Sequence, residues 1–180
     1  MLNNRRTQIV LAIIILGVAG LGFILYLNMR PESPIADVVQ FPRPARGHDD
    51  TIVFDELEAP PAGGEHSSIW QNCGIYNEPI RTGYAVHSLE HGAIWITYQT
   101  GFSADEVAML ESMVRGQSHM LISPFPGQSS PIVLTAWGVS LEIDSANDDR
   151  IEPFIERYRM GSQSPEPGAA CTQGVGEPLP

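Results

Sequence analysis

Residues 60–98, PPAGGEHSSIWQNCGIYNEPIRTGYAVHSLEHGAIWITY, gather three of the chain's five histidines, one of its two cysteines and two of its three tryptophans. The stretch changes character as it runs. Residues 60–83 are too rich in proline and glycine for regular structure, and irregular segments beyond about 15 residues inside compact domains are usually functional, assembly-forming or disordered. Their apolar and aromatic residues argue against disorder. The end of the stretch, AIWITYQ at 93–99, is β-branched and aromatic, with Ile94, Ile96 and Tyr98 on one face and Trp95 and Thr97 on the other. That alternation predicts a strand.

Downstream, Ser103 and Glu106 have the spacing of a capping box, and Val107, Leu110 and Val114 follow at helical intervals up to Gly116. A helix over 104–115 is predicted. A strand at 119–123 leads into SPFPGQSSP, a turn-rich link, and an alternating segment at 132–143 follows, with Gly138 marking a bend or bulge. A last helix is expected from Asp149 or Glu152, with Pro153 tolerated in its first turn and Ile151, Ile155 and Tyr158 facing inward. Upstream, the short apolar run at 51–54 could be an edge strand opening the domain. Interleaved but few elements predict an α+β fold over 51–161: a mixed or antiparallel sheet covered by two helices. The Pro/Gly-rich tail at 162–180 cannot pack by itself.

At the N-terminus, IVLAIIILGVAGLGFILYL at 9–27 carries no charge. At about 1.5 Å per residue it nearly matches a hydrocarbon core of roughly 30 Å, which predicts a single transmembrane helix. A cleaved signal peptide is the alternative, but its apolar region runs about 7–15 residues before a small-residue cleavage site, whereas this one runs into YLNMR. Residues 28–50 then read as a proline-rich tether. Arg5 and Arg6 precede the span while Arg30, Arg43 and Arg46 follow it, so charge counting does not set the orientation. A short cytoplasmic tail (1–8) and a large outer domain is the usual arrangement, and two cysteines suit an oxidising compartment. The expected protein is single-pass in the cell membrane, with residues 31–180 extracytoplasmic.

Those 150 residues hold all 21 acids against seven arginines, a formal charge of −14, and the chain has no lysine. Such a field excludes nucleic-acid binding and favours a basic protein partner or plain solubility. No solenoid repeat, P-loop, dinucleotide fingerprint, C-x-x-C or nucleophile elbow occurs; Ser88 beside His87 and Glu90 lacks the G-x-S-x-G context. Nothing here predicts an enzyme.

PPAGGEHSSIWQNCGIY at 60–76, AVHSLEHGAIWITY at 85–98 and SPEPGAACTQGVG at 164–176 together resemble a family of bacterial membrane-anchored proteins, the DUF3105 family, over nearly all of residues 48–176. The resemblance implies a fold neighbourhood and brings no activity with it.

Cys73 and Cys171 are expected to form a disulfide that fastens the tail to the 60–83 loop; the alternative is that Cys73 is a soft metal ligand. His66, His87 and His91, with Glu90 beside the last, could build a copper or zinc site, with Cys73 or Met120 as a further candidate donor. They could equally satisfy backbone carbonyls in a polar loop. His87 and His91 are four apart, which would place both on one helical face, but Gly92 breaks the pattern, so a turn or short helical turn before the strand is expected. Trp70 is either a core aromatic or an anchor for a protein partner. Two functions follow from the sequence. The first is a non-catalytic accessory subunit of a bacterial membrane complex, of the respiratory or photosynthetic electron-transfer kind, whose acidic domain stabilises it or docks a soluble electron carrier. The alternative is an extracytoplasmic protein that binds or handles copper or zinc through His66, His87 and His91.

Overall fold

The structure, a computed structural model, describes residues 2–28, 34–54 and 57–180. The first few residues of the expected tether, 29–33, lie outside the described residues. The chain divides into two units, one ending at Pro34 and one running Ile35–Pro180. The first contains a single helix, α1 (Leu2–Asn28), in which Thr7–Leu25 is long and apolar enough to cross a membrane, with a mean hydropathy of 2.7. By length and composition a signal sequence passes the same test.

The second unit is α+β, built on a six-stranded mixed sheet. Its elements are β1 (Val39–Gln40), β2 (Gly74–Ile75), α2 (Thr82–Glu90), β3 (Ile94–Tyr98), α3 (Ala104–Val114), β4 (Met120–Pro124), β5 (Ile132–Ala136), β6 (Val139–Ile143) and α4 (Ile151–Tyr158). The strand order is β1-β6-β5-β3-β4-β2. The expected strand at 93–99 becomes the central β3, parallel to β4 and antiparallel to β5. The alternating segment at 132–143 is two strands, with Ala136 opposite Val139 across a two-residue turn in which Gly138 has φ +75°. The glycine bends the chain back on itself because this φ costs a residue without a Cβ little.

The two faces of β3 feed two cores. Ile94 and Ile96 pack with Met120, Ile122, Leu134, Leu141, Leu110 of α3 and Phe154 of α4. Trp95 and Leu121 pack on the opposite face with Ala85, Val86 and Leu89 of α2, together with Phe125 and Trp137. Residues on both faces are fully buried, so the sheet is covered on both sides.

Three local readings change. The sequence predicts two covering helices; α2 adds a third. Gly92 does not break a helical pattern but ends a real helix: the Gly92 N–H donates to the Leu89 carbonyl at 2.9 Å and the Ala93 N–H to Ser88 at 3.0 Å, with Gly92 at φ +94°. This is the paired C-terminal bonding that glycine favours. Ser103 caps α3 without a side-chain bond, and Glu106 instead accepts the Ala146 N–H at 3.1 Å, tying α3 to the segment before α4. Residues 51–54 form no strand, because the edge position beside β6 is taken by Val39–Gln40. Residues 35–50, read as tether, therefore belong to the second unit.

The tail is tied down along its length. Cys73 and Cys171 are disulfide-bonded with a Cα separation of 5.4 Å, near the usual spacing. The Cys73 N–H donates to the Cys171 carbonyl at 2.8 Å, Val175 to Trp70 at 3.0 Å and Leu179 to Ile75 at 2.8 Å. The segment packs because the 60–83 loop supplies these partners, as the sequence reading required.

Candidate metal centre

Three segments converge at α2. The 47–50 segment pairs in parallel with the 64–68 segment through His48 and His66, with the Asp49 N–H donating to the His66 carbonyl at 2.7 Å and the His66 N–H to Gly47 at 3.0 Å. Asp50 reinforces the pairing by accepting the Ser68 N–H at 2.7 Å; this bond and the Ser68 hydroxyl hold its carboxyl below the usual range. The 64–68 segment in turn lies against the first turn of α2. A Cβ on Gly83 would meet the Ser67 hydroxyl oxygen at 2.6 Å, so glycine there permits the close approach.

The approach places a backbone acceptor over each buried imidazole. His66 Nδ1 lies 2.8 Å from the Gly64 carbonyl, His87 Nδ1 2.7 Å from Ser67 and His91 Nδ1 2.6 Å from Ala170 of the tail. A carbonyl only accepts, so every Nδ1 is a donor and, in a neutral ring, every Nε2 carries a lone pair. Those lone pairs point at one another or at carboxylate. His87 Nε2 is 3.1 Å from His91 Nε2, and His66 Nε2 is 3.0 Å from Glu90 Oε2. Two acceptors at hydrogen-bond distance need a proton or a metal cation between them.

His48 completes the group. Its Nε2 is 3.6 Å from Glu90 Oε2, and its ring stacks on His87 with centroids 4.9 Å apart. One donor atom from each of His48, His66, His87 and Glu90 lies within 4.8 Å of all the others. Donors around a tetrahedral ion with bonds of about 2.1 Å stand about 3.4 Å apart, so the set must draw in by about an ångström to close on an ion. His66, His87 and Glu90 are buried and His48 is exposed. Glu90 also has the Arg46 guanidinium at 3.6 Å, which balances its buried charge. Burial, and then the neighbouring histidines, push His87 below the ordinary imidazole range against the raising effect of Ser67, favouring the neutral form that binds metal.

The structure thus brings His66, His87 and His91 together with Glu90, and adds His48, which falls in what reads as tether. Glu90 gains its place from helical spacing: positions 87, 90 and 91 share one face at the end of α2. The other suggested donors are elsewhere. Both cysteines are consumed in the disulfide, and Met120 is fully buried in the core on the opposite side of the sheet. Trp70 is half-buried, 5.1 Å from the His91 ring and 5.7 Å from the His87 ring, and donates its Nε1–H to Thr172 at 3.2 Å. Ser88 donates its hydroxyl to the Gln71 carbonyl at 2.8 Å, a structural bond. His119 lies apart, its Nε2 2.8 Å from the Ala169 carbonyl.

A family model described as a protein of unknown function, DUF3105, matches residues 49–173, and the chain belongs to that family. The match takes in both cysteines, His66, His87, Glu90 and His91; His48 immediately precedes it. No curated protein and no solved structure matches the chain.

Proposed function

We propose that this member of the DUF3105 family is a membrane-anchored, extracytoplasmic protein that binds a borderline divalent transition-metal ion, Zn²⁺ or Cu²⁺, through His48, His66, His87 and Glu90. One observation carries the reading: convergent donors whose two buried imidazoles, His66 and His87, each have Nδ1 committed to a backbone carbonyl. That is how metal-ligating histidines are oriented in general. With the thiols oxidised, the donor set is nitrogen and oxygen only, which suits these ions better than Cu⁺. α1 favours an anchor, and the disulfide favours an oxidising compartment for the domain, which leaves the N-terminus in the cytoplasm.

Metal analysis of the full-length chain, purified in detergent and dialysed, tests the proposal. About one ion per chain is expected for a single four-donor site, with loss in His66→Ala and His87→Ala. A folded wild-type protein without stoichiometric metal after Zn²⁺ and Cu²⁺ loading would overturn it.

The accessory-subunit reading stands second, supported by the formal charge of −14 over residues 31–180. A non-catalytic acidic domain on a bacterial electron-transfer complex would steer a basic soluble carrier toward its host. Deleting residues 31–180 should then lower carrier turnover and flatten its salt dependence, and unchanged turnover would remove the idea.

A further inference from the structure

Six nitrogen and oxygen donors adjoin here, two more than a tetrahedral ion uses. They are the compact group of His48, Glu90, His66 and His87, with His91 and Glu166 beside it. His48 and Glu90 are 3.6 Å apart, Glu90 and His66 3.0 Å, His87 and His91 3.1 Å, and His91 Nε2 and Glu166 Oε2 3.9 Å. The compact group of four closes without His91. Yet the His91 side chain is 5% exposed and aims its remaining nitrogen at His87, an acceptor facing an acceptor in a buried position. Two of the donors, one in each part, are open to solvent: the His48 side chain is 47% exposed and that of Glu166 58%. Glu166 is not a chance neighbour, because its N–H donates to the Glu90 carbonyl at 3.0 Å and the following turn is held by Gly168 N–H to His91 at 2.9 Å.

We infer that these donors make two adjoining positions for one ion, an inner one at His48, His66, Glu90 and His87 and an outer one at His87, His91 and Glu166, so that the ion is mobile cargo that shifts between them. The inference rests on the metal reading above. His87 Nε2 belongs to both positions and keeps the ion bound while the other ligands exchange. Glu90, His66 and His48 are released as His91 and Glu166 close. The step is a ligand substitution without change of oxidation state, and Arg46 takes over the Glu90 charge when the ion leaves. A resident structural ion would need neither the surplus donors nor the exposed carboxylate of Glu166.

Co²⁺, whose visible bands report coordination, tests this on the full-length chain in detergent. Wild type is expected to bind one Co²⁺ in two spectrally distinct populations. Glu166→Gln, a surface change, should shift their ratio toward the inner form by about tenfold, and His48→Ala should shift it the other way. One Co²⁺ with a single spectrum untouched by either variant would overturn the two-position inference while leaving the metal site intact. Two Co²⁺ per chain at saturation would overturn it in favour of a dinuclear centre. No Co²⁺ binding by wild type would remove the metal reading and this inference with it.

Discussion

The backbones of Gly92 and Met160 touch: the Met160 N–H donates to the Gly92 carbonyl at 2.8 Å, and a Cβ built on Gly92 would fall 2.8 Å from the Met160 Cα. Gly92 also sits at φ +94° as the residue that ends α2. Gly92→Ala therefore meets both a steric clash with backbone and an unfavourable conformation. A loss of about 1–3 kcal/mol is expected in chemical denaturation. Because Gly92 follows His91, the variant should also weaken metal binding; a stable variant with unaltered binding would show that the close approach is not needed.

The Cys73–Cys171 bond closes a loop with a sequence separation of 98 residues. The chain-entropy model gives about 4–5 kcal/mol for a loop of this size. Cys73→Ser combined with Cys171→Ser should lose stability of that order, and reduction of wild type should lose about as much. A smaller loss, below about 1 kcal/mol, would mean that the tail's hydrogen bonds hold it unaided.

Glu90 is the only carboxylate within the buried donor group. Glu90→Gln keeps its size and removes its charge, so metal affinity should fall by about 100-fold or more. Competition against a chromophoric chelator reads this directly. Unaltered affinity would place Glu90 outside the coordination set and leave it a partner of His66, His48 and Arg46.

Stability of the metal-free protein should fall toward acid in two steps. Burial holds the folded His87 below its ordinary value of 6.5, so the unfolded chain takes up a proton that the folded one refuses. The contribution is fully present above pH 6.5 and declines as pH falls below it. The Arg150 hydrogen bonds hold the folded Asp148 below its ordinary 3.8. That contribution is present above the unfolded value and is lost as pH falls through the folded one. Thermal melts between neutral and strongly acidic pH should show both declines, and His87→Gln should remove only the first.

The alternation of Ile94, Trp95 and Ile96 made β3 legible, and the periodicity of Val107, Leu110 and Val114 made α3 so. α2 was not legible, because its seven buried residues include Gly83, Ser88, His87 and Glu90, which carry no apolar stripe. They are buried by polar contacts from both sides: Ser88 by Gln71, His87 by Ser67 and Glu90 by His66. Such contacts come from residues far along the chain and leave no local period.

The sequence by itself determined the apolar α1, the α+β class, the central strand, the family and the two cysteines as a pair, since each follows from composition, local spacing or a motif. Only the tertiary structure decided that residues 35–50 belong to the domain, that the region before Gly92 is a helix, and that His48 and Glu90 stand among the histidines. The reason is physical. A donor set is defined by distances of a few ångströms between side chains up to 42 positions apart, from His48 to Glu90. Those distances exist only once the loop has closed over α2.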